Sequence, residues 1–325
     1  MKLATYKDGS RDGQLVVVSR DLSSAHYATG IANRLQQVLD DWNFLSPQLQ
    51  DLYVTLNQGK ARHAFPFDPH MCMAPLPRAY QRLGAQAWRH PAPAPEVTAT
   101  PEDLLHQASS DALLGPCDDL PYLSQGESGL DFSAELAVVT GDVPRGAPAE
   151  QALDSVRLLL LANAVQLRDP TSETTSPWPV LQPAPAFSPV AVTPDELGEA
   201  WRHGRVHLTL QCAWNGRTVG MCEAGEDMPR HIGEWIAQAC RLRPLRAGSI
   251  VTLGPVRNQA DPAQSRPAWP RGYSCIADKR AMETLLDGQP VTGYLRPGDT
   301  LRLEMKGRDG QSLFGAIEQS VAAAG

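Results

Sequence analysis

Two hairpin signatures in the C-terminal third constrain this sequence more than any other feature. Residues 206–212 and 218–222 flank Asn215-Gly216, and residues 301–305 and 313–317 flank Asp309-Gly310. Asn-Gly and Asp-Gly tolerate the left-handed backbone that a tight antiparallel turn requires at its centre. Short apolar runs elsewhere fit the same pattern. Residues 14–19 (QLVVVS), 131–140 (DFSAELAVVT) and 249–253 (SIVTL) are predicted as strands. Residues 28–42 and 47–58 carry apolar residues at helical spacing, with a break at Ser46-Pro47, where proline suits a helix start. Pro148 is predicted to open a helix running through PAEQALDSVRLLLLANAV, and residues 228–241 form a second amphipathic helix. Residues 64–78 hold four prolines without periodicity and read as a linker. Residues 83–130 read mostly as loop, helical only around 101–105. The expected fold class is a β-rich α+β protein. Its domains are a small N-terminal one over residues 1–75 and a larger one over 76–325.

Composition narrows the partners. The net charge is −7, whereas nucleic acid and anionic membranes call for a basic face. No run approaches the roughly 18 apolar residues of a membrane span, and the N-terminus turns polar too early for a signal peptide. The six cysteines form no C-x-x-C pair, so reduced, mostly buried thiols in a cytoplasmic protein are expected. No G-x-S-x-G, P-loop or G-x-G-x-x-G occurs, leaving no motif for a serine nucleophile or a nucleotide.

Nine blocks in order resemble the bacterial branch of the fumarylacetoacetate hydrolase family. Among them are FDPHMCMAPLPRAYQ (67–81), LLGPCDDL (113–120), GLDFSAELAVVTGDV (129–143), LLLANAVQLRD (159–169), PAFSPVAVTPDELG (185–198), GYSCIADKR (272–280) and GDTLRLEMKGRDGQSLFGAIEQ (298–319). The resemblance covers nearly the whole chain and fails over 82–106 and 170–183. It implies a mixed β-roll for the C-terminal domain and a homodimer. It also implies a Mg²⁺ or Ca²⁺ ion held by four carboxylates, which polarises a 1,3-dicarbonyl while a histidine activates water for C–C cleavage. That chemistry is physically sound, since a hard cation needs several anionic oxygens and acts as a Lewis acid on an enolate.

Position by position, the resemblance implies that this metal site is degenerate. The first carboxylate falls at about Gly84, the second at Ser133, the third at Glu135, and the fourth at Ala164, so only Glu135 keeps its acid. No metal ligand set and no cofactor are therefore assigned. The lysine position before the PAFSP-like block is Gln182, and His90 stands where the family histidine belongs. His90 and Glu135 are the candidate catalytic residues. Gln107, Ser110, Ser133 and Gln182 are the candidate substrate contacts. His231 reads as structural, and Gly204-Arg205 breaks any helix that would set His203 and His207 on one face. Three functional readings remain open. The first is a metal-independent, non-hydrolytic reaction on a small dicarbonyl or carboxylate. The second is a non-catalytic ligand-binding or regulatory subunit. The third is a metal hydrolase in which Asp111, Asp118, Asp119, Glu127 or Asp131 replaces the lost ligands.

Overall fold

The computed structural model describes residues 1–89, 105–122, 129–168, 183–259 and 271–322. The chain opens with the antiparallel strands β1 (Lys2–Tyr6), β2 (Gln14–Val18) and β3 (Ser24–Tyr27). Helices α1 (Leu35–Asp40) and α2 (Trp42–Asn57) follow, then the two-residue strand β4 (Phe65–Pro66). Leu35, Val38, Leu39, Leu49, Tyr53 and Leu56 turn inward from the two helices. The expected break at Pro47 does not occur. Pro47 sits inside α2 and is exposed, and the helix runs on through it at the cost of the one ladder bond its missing N–H would have made to residue 43.

The rest of the chain supplies β5 (Arg82–Ala85), β6 (Leu105–Ala108), β7 (Gly129–Asp131), β8 (Ala134–Thr140), α3 (Ala149–Asp154), β9 (Val156–Asn163) and β10 (Gln166–Arg168). Next come β11 (Ala186–Phe187), β12 (Ala191–Val192), β13 (Trp201–Arg202), β14 (Arg205–Val206), β15 (Thr209–Trp214), β16 (Arg217–Glu223) and α4 (Ile232–Ala239). The chain ends in β17 (Ser249–Pro255), α5 (Ile276–Asp287), β18 (Thr300–Met305) and β19 (Ile317–Ser320). One large sheet runs in the order β4-β3-β2-β1-β12-β9-β8-β17-β5-β6, and β11 also pairs with β9. A second sheet of four strands has the order β16-β15-β18-β19. The protein is thus a sheet-rich α+β structure, as its turn chemistry predicts.

The predicted helix from Pro148 stops after α3, at Asp154, and Val156–Asn163 is a central strand. This strand is flanked by β8 on one side and by β11 and β12 on the other. Leu158 to Ala162 are each no more than 1 % exposed. Both faces are covered, so the run is apolar throughout and its period does not distinguish strand from helix. Leu105 likewise begins strand β6 rather than ending a helix; residues 101–104 lie outside the described residues. The expected linker 64–78 is also built in, because β4 pairs with β3 and Cys72 bridges to Tyr6.

The hairpin at Asn215-Gly216 forms as predicted. Trp214 pairs with Arg217, and both turn residues have positive φ. The second hairpin is wider, with Leu303 opposite Ile317 and a bridge from Lys306 to Ser312. All six cysteines are free, and all but Cys117 are buried. Among the described residues no helix is long and apolar enough to cross a membrane.

Candidate active site

The site lies at one end of β5, β6, β8 and β17 in the large sheet. Parallel pairing sets Thr252 beside Gly84, and antiparallel pairing sets Gly84 beside His106. Glu135 stands opposite Ala162 on β9, with Ala164 just past that strand's end. A small cavity of about 20 Å³ opens where they meet. Gly84, Glu135 and Ala164, three positions implicated by the resemblance, all line it. Arg82, Gln86, His106, Gln166 and Thr252 complete the polar part of its wall.

Glu135 is 3 % exposed and held at both oxygens. The Ser133 hydroxyl donates to Oε1 at 2.7 Å, and the Gly254 N–H donates to Oε2 at 3.0 Å. The second bond depends on a bulge. Between Thr252 and Pro255 the register with β8 shifts, so that Leu253 and Gly254 stand opposite Leu136 alone. Gly254 has φ +80°, and a Cβ there would come within 2.7 Å of the Ala85 carbonyl oxygen. Only glycine turns its amide toward the carboxylate under both constraints. Burial pushes the Glu135 carboxyl above its ordinary range. The Ser133 and Gly254 donors and the Arg82 charge oppose that shift without cancelling it.

Arg82 is 3 % exposed, and its Nε donates to the Ser109 carbonyl at 2.8 Å. Its charge acts on two cavity groups, favouring the ionised form of Glu135 and disfavouring that of His106. Burial is the larger influence on His106, and both effects lower its pKa, so the ring is neutral at neutral pH. The His106 ring also sits directly over Gly84. A Cβ on residue 84 would overlap the ring's Cε1 and Nε2.

Behind Glu135, a chain of buried hydrogen bonds fixes the strand ends. Ser133 N–H donates to Asn163 Oδ1 (3.1 Å), Asn163 Nδ2 to Gln319 Oε1 (3.0 Å), and Gln319 Nε2 to the Asp118 carbonyl (2.8 Å). Asp131 is engaged elsewhere. It accepts from the Ile276 and Ala277 N–H groups at the start of α5 and from Arg168 Nε. Burial still raises its pKa to about 6.

The other candidates fall as follows. Gln107 lies on β6 but is exposed, on the opposite face from His106, and Ser110 follows the strand with its carbonyl accepting from Ala79 N–H. Neither lines the cavity. Ser133 meets the site through Glu135 rather than through the cavity wall. His90 and Gln182 lie outside the described residues, as does Glu127. His231 caps α4 by accepting from the Gly233 N–H, which is a structural role. Asp118 is tied to the Gly115 N–H and Lys7, and Asp111 accepts from Ser109. Among the described residues no group of three or more His, Cys, Asp or Glu side chains is placed to hold a metal ion. A single carboxylate, doubly hydrogen-bonded and beside a buried arginine, does not fit a hard divalent cation.

Sequence reasoning missed His106 and Arg82. The first stands at the end of the stretch 82–106, where the resemblance fails. The only available signal was a glycine opposite a histidine, and that is visible only once β5 and β6 are paired.

Comparisons with known proteins agree with this architecture. Residues 1–78 match the family description fumarylacetoacetase N-terminal domain 2, and residues 77–322 match fumarylacetoacetate (FAA) hydrolase C-terminal. The structure is similar to maleylpyruvate hydrolase from Sphingobium sp. SYK-6, with TM-score 0.65 and 15 % identity over 99 % of each chain. It is similar to a fumarylacetoacetate hydrolase from Exiguobacterium antarcticum, with TM-score 0.67 and 20 % identity over 99 % of each chain. It is also similar to 5-carboxymethyl-2-hydroxymuconate delta-isomerase from Mycobacterium smegmatis, with TM-score 0.61 and 15 % identity over 100 % of each chain. No curated protein matches it in sequence. At these identities the structural likeness speaks to fold alone, but the C-terminal match spans well over half the chain. The chain therefore belongs to the fumarylacetoacetate hydrolase family.

Proposed function

We propose that the protein acts on a small dicarbonyl or carboxylate-type compound by a metal-independent, non-hydrolytic reaction such as cyclisation, condensation or decarboxylation. The observation that carries this reading is the charge arrangement of the cavity. One carboxylate, Glu135, lies within the field of the buried guanidinium of Arg82, while Gly84, Ser133 and Ala164 bring no further acid. A cavity arranged in this way favours an anionic oxygen over a divalent cation. Glu135, with its pKa raised, is the group that exchanges a proton with the ligand. Maleylpyruvate hydrolase and the delta-isomerase, which share the fold, are named for small oxo- or hydroxy-acid substrates, which supports this ligand class. We place the active form in the cytoplasm as a homodimer.

A second reading draws support from one observation. The cavity, at about 20 Å³, has room for about one water. A pocket that small also suits a non-catalytic paralogue that binds a ligand at its mouth.

Product analysis separates the readings. The protein, freed of metal by chelation, is incubated with a 2,4-dioxo acid, and products are followed by mass. Loss of CO₂ or of water, or an isobaric product, supports the proposed reaction. Cleavage that appears when Mg²⁺ or Mn²⁺ is added back, with the fragments gaining one water at about 1 to 1,000 turnovers per second, overturns it. An unchanged compound that nevertheless binds favours the paralogue.

A further inference from the structure

We infer that His106 is a substrate-contacting group of this pocket, its imidazole N–H meeting the carbonyl oxygen that a 2-oxo acid extends into the small cavity. The inference rests on the reading of the pocket given above and names the group that replaces Lewis-acid polarisation. Three observations carry it.

The first is the space. The ring occupies volume that exists only because residue 84 is glycine, since any side chain there would drive it out. The second is its bonding. His106 lines the cavity, and no group among the described residues hydrogen-bonds its ring, whereas the neighbouring Glu135 is held by two donors. A polar ring at a polar cavity, with no partner among the described residues, is placed to bond whatever enters. The third is size. Room for about one water is also room for a single ligand oxygen, with the remainder of the ligand outside. An N–H aimed at that oxygen stabilises the charge that develops there when an enolate forms. Arg82 and Gln166, on the same wall, add positive potential and a second donor.

The probe is oxalate, whose adjacent carboxylates mimic the oxygens of a 2-oxo acid enolate. The protein is the full chain with chelator present. Imidazole resonances are followed by NMR, and that of His106 is identified by its absence in His106→Gln. Calorimetry gives the affinity. Saturable movement of the His106 signal is expected. His106→Ala should weaken binding by about tenfold or more, and His106→Gln, which keeps an N–H donor, by no more than about threefold. Gly84→Ala should weaken it as much as His106→Ala, because it displaces the ring.

Thermal melts show whether each variant is folded, and the NMR shift on the unaltered protein needs no variant at all. Metal-free binding that ignores His106→Ala and leaves its signal unmoved overturns the role of His106 and leaves the metal-independent reading standing. Binding that appears only with Mg²⁺ or Mn²⁺ overturns both. Absence of binding under every condition also overturns the assignment.

Discussion

The Ser133 hydroxyl and the Glu135 carboxylate, two residues apart on one side of a strand end, share a 2.7 Å hydrogen bond, and both side chains are buried. The serine stands at a position where the family resemblance implies a second acid, so a repulsive pair has become a donor–acceptor pair. Ser133→Ala should therefore destabilise the protein by about 1 to 2 kcal/mol, the cost of leaving a buried carboxylate short of a donor. It should also push the Glu135 pKa further upward. Denaturant melts at neutral pH test this, and an unchanged midpoint would show that the bond contributes nothing.

Restoring acids should have the opposite character. Ser133→Glu combined with Ala164→Asp places two more carboxylates beside Glu135, and the metal-free form should lose on the order of 1 to 3 kcal/mol. Excess Mg²⁺ or Ca²⁺ should recover part of that loss, since a ligand bound only by the native state stabilises it. Melting both proteins with and without metal checks the point. A double variant that melts with the parent and ignores metal would mean that positions 133 and 164 do not face one site.

Little of this site was open to inspection in the sequence, although much of the fold was. Asn215-Gly216 announced its hairpin because the turn chemistry is local. The run VRLLLLAN could not announce a strand, because β9 is covered on both faces and loses the alternation that marks a half-buried one. Glu135 and Ala164 were placed by their motifs, and Gly84 only by its distance from the block that ends at residue 81. His106 was not, because its importance lies in the pairing of two strands separated by residues 86–104. The Gly254 amide was likewise hidden, since a bulge is a property of two strands in register rather than of either alone.

Asp131 gives a prediction about pH. Its pKa is about 6 in the folded protein against an ordinary 3.8. Between these values the folded state keeps a proton that the unfolded state has released. The contribution of Asp131 to stability is thus largest at the acid end of the window, falls as pH rises through it, and is level above it. The stability difference between the parent and Asp131→Asn should decline by on the order of 1 to 3 kcal/mol from about pH 4 to pH 6. Denaturant melts of both proteins across that range decide it; a constant difference would place the Asp131 pKa near its unfolded value.

Arg257 and Asp278 form a bidentate pair at 2.6 and 3.0 Å, and Arg257 also reaches Gln86 and the Trp88 carbonyl. Asp278 is 1 % exposed. Asp278→Leu alone should cost about 3 to 5 kcal/mol, because a buried guanidinium loses its counter-charge. Arg257→Met with Asp278→Leu should recover most of that cost. A double-mutant cycle by chemical denaturation measures the coupling, and two additive losses would contradict it.

The large sheet has one further consequence. Strand β1 lies between β2 and β12, so the opening residues of the chain cover an edge that begins with a two-residue strand and backs directly onto β9. Expressed without its first 78 residues, the remainder would expose that row of unpaired amides and carbonyls, flanked by Ala191, Val192 and Leu159. Exposed apolar edges recruit further strands from neighbouring molecules. The opening segment therefore covers that edge, and fragments lacking it should collect in inclusion bodies rather than in the soluble fraction.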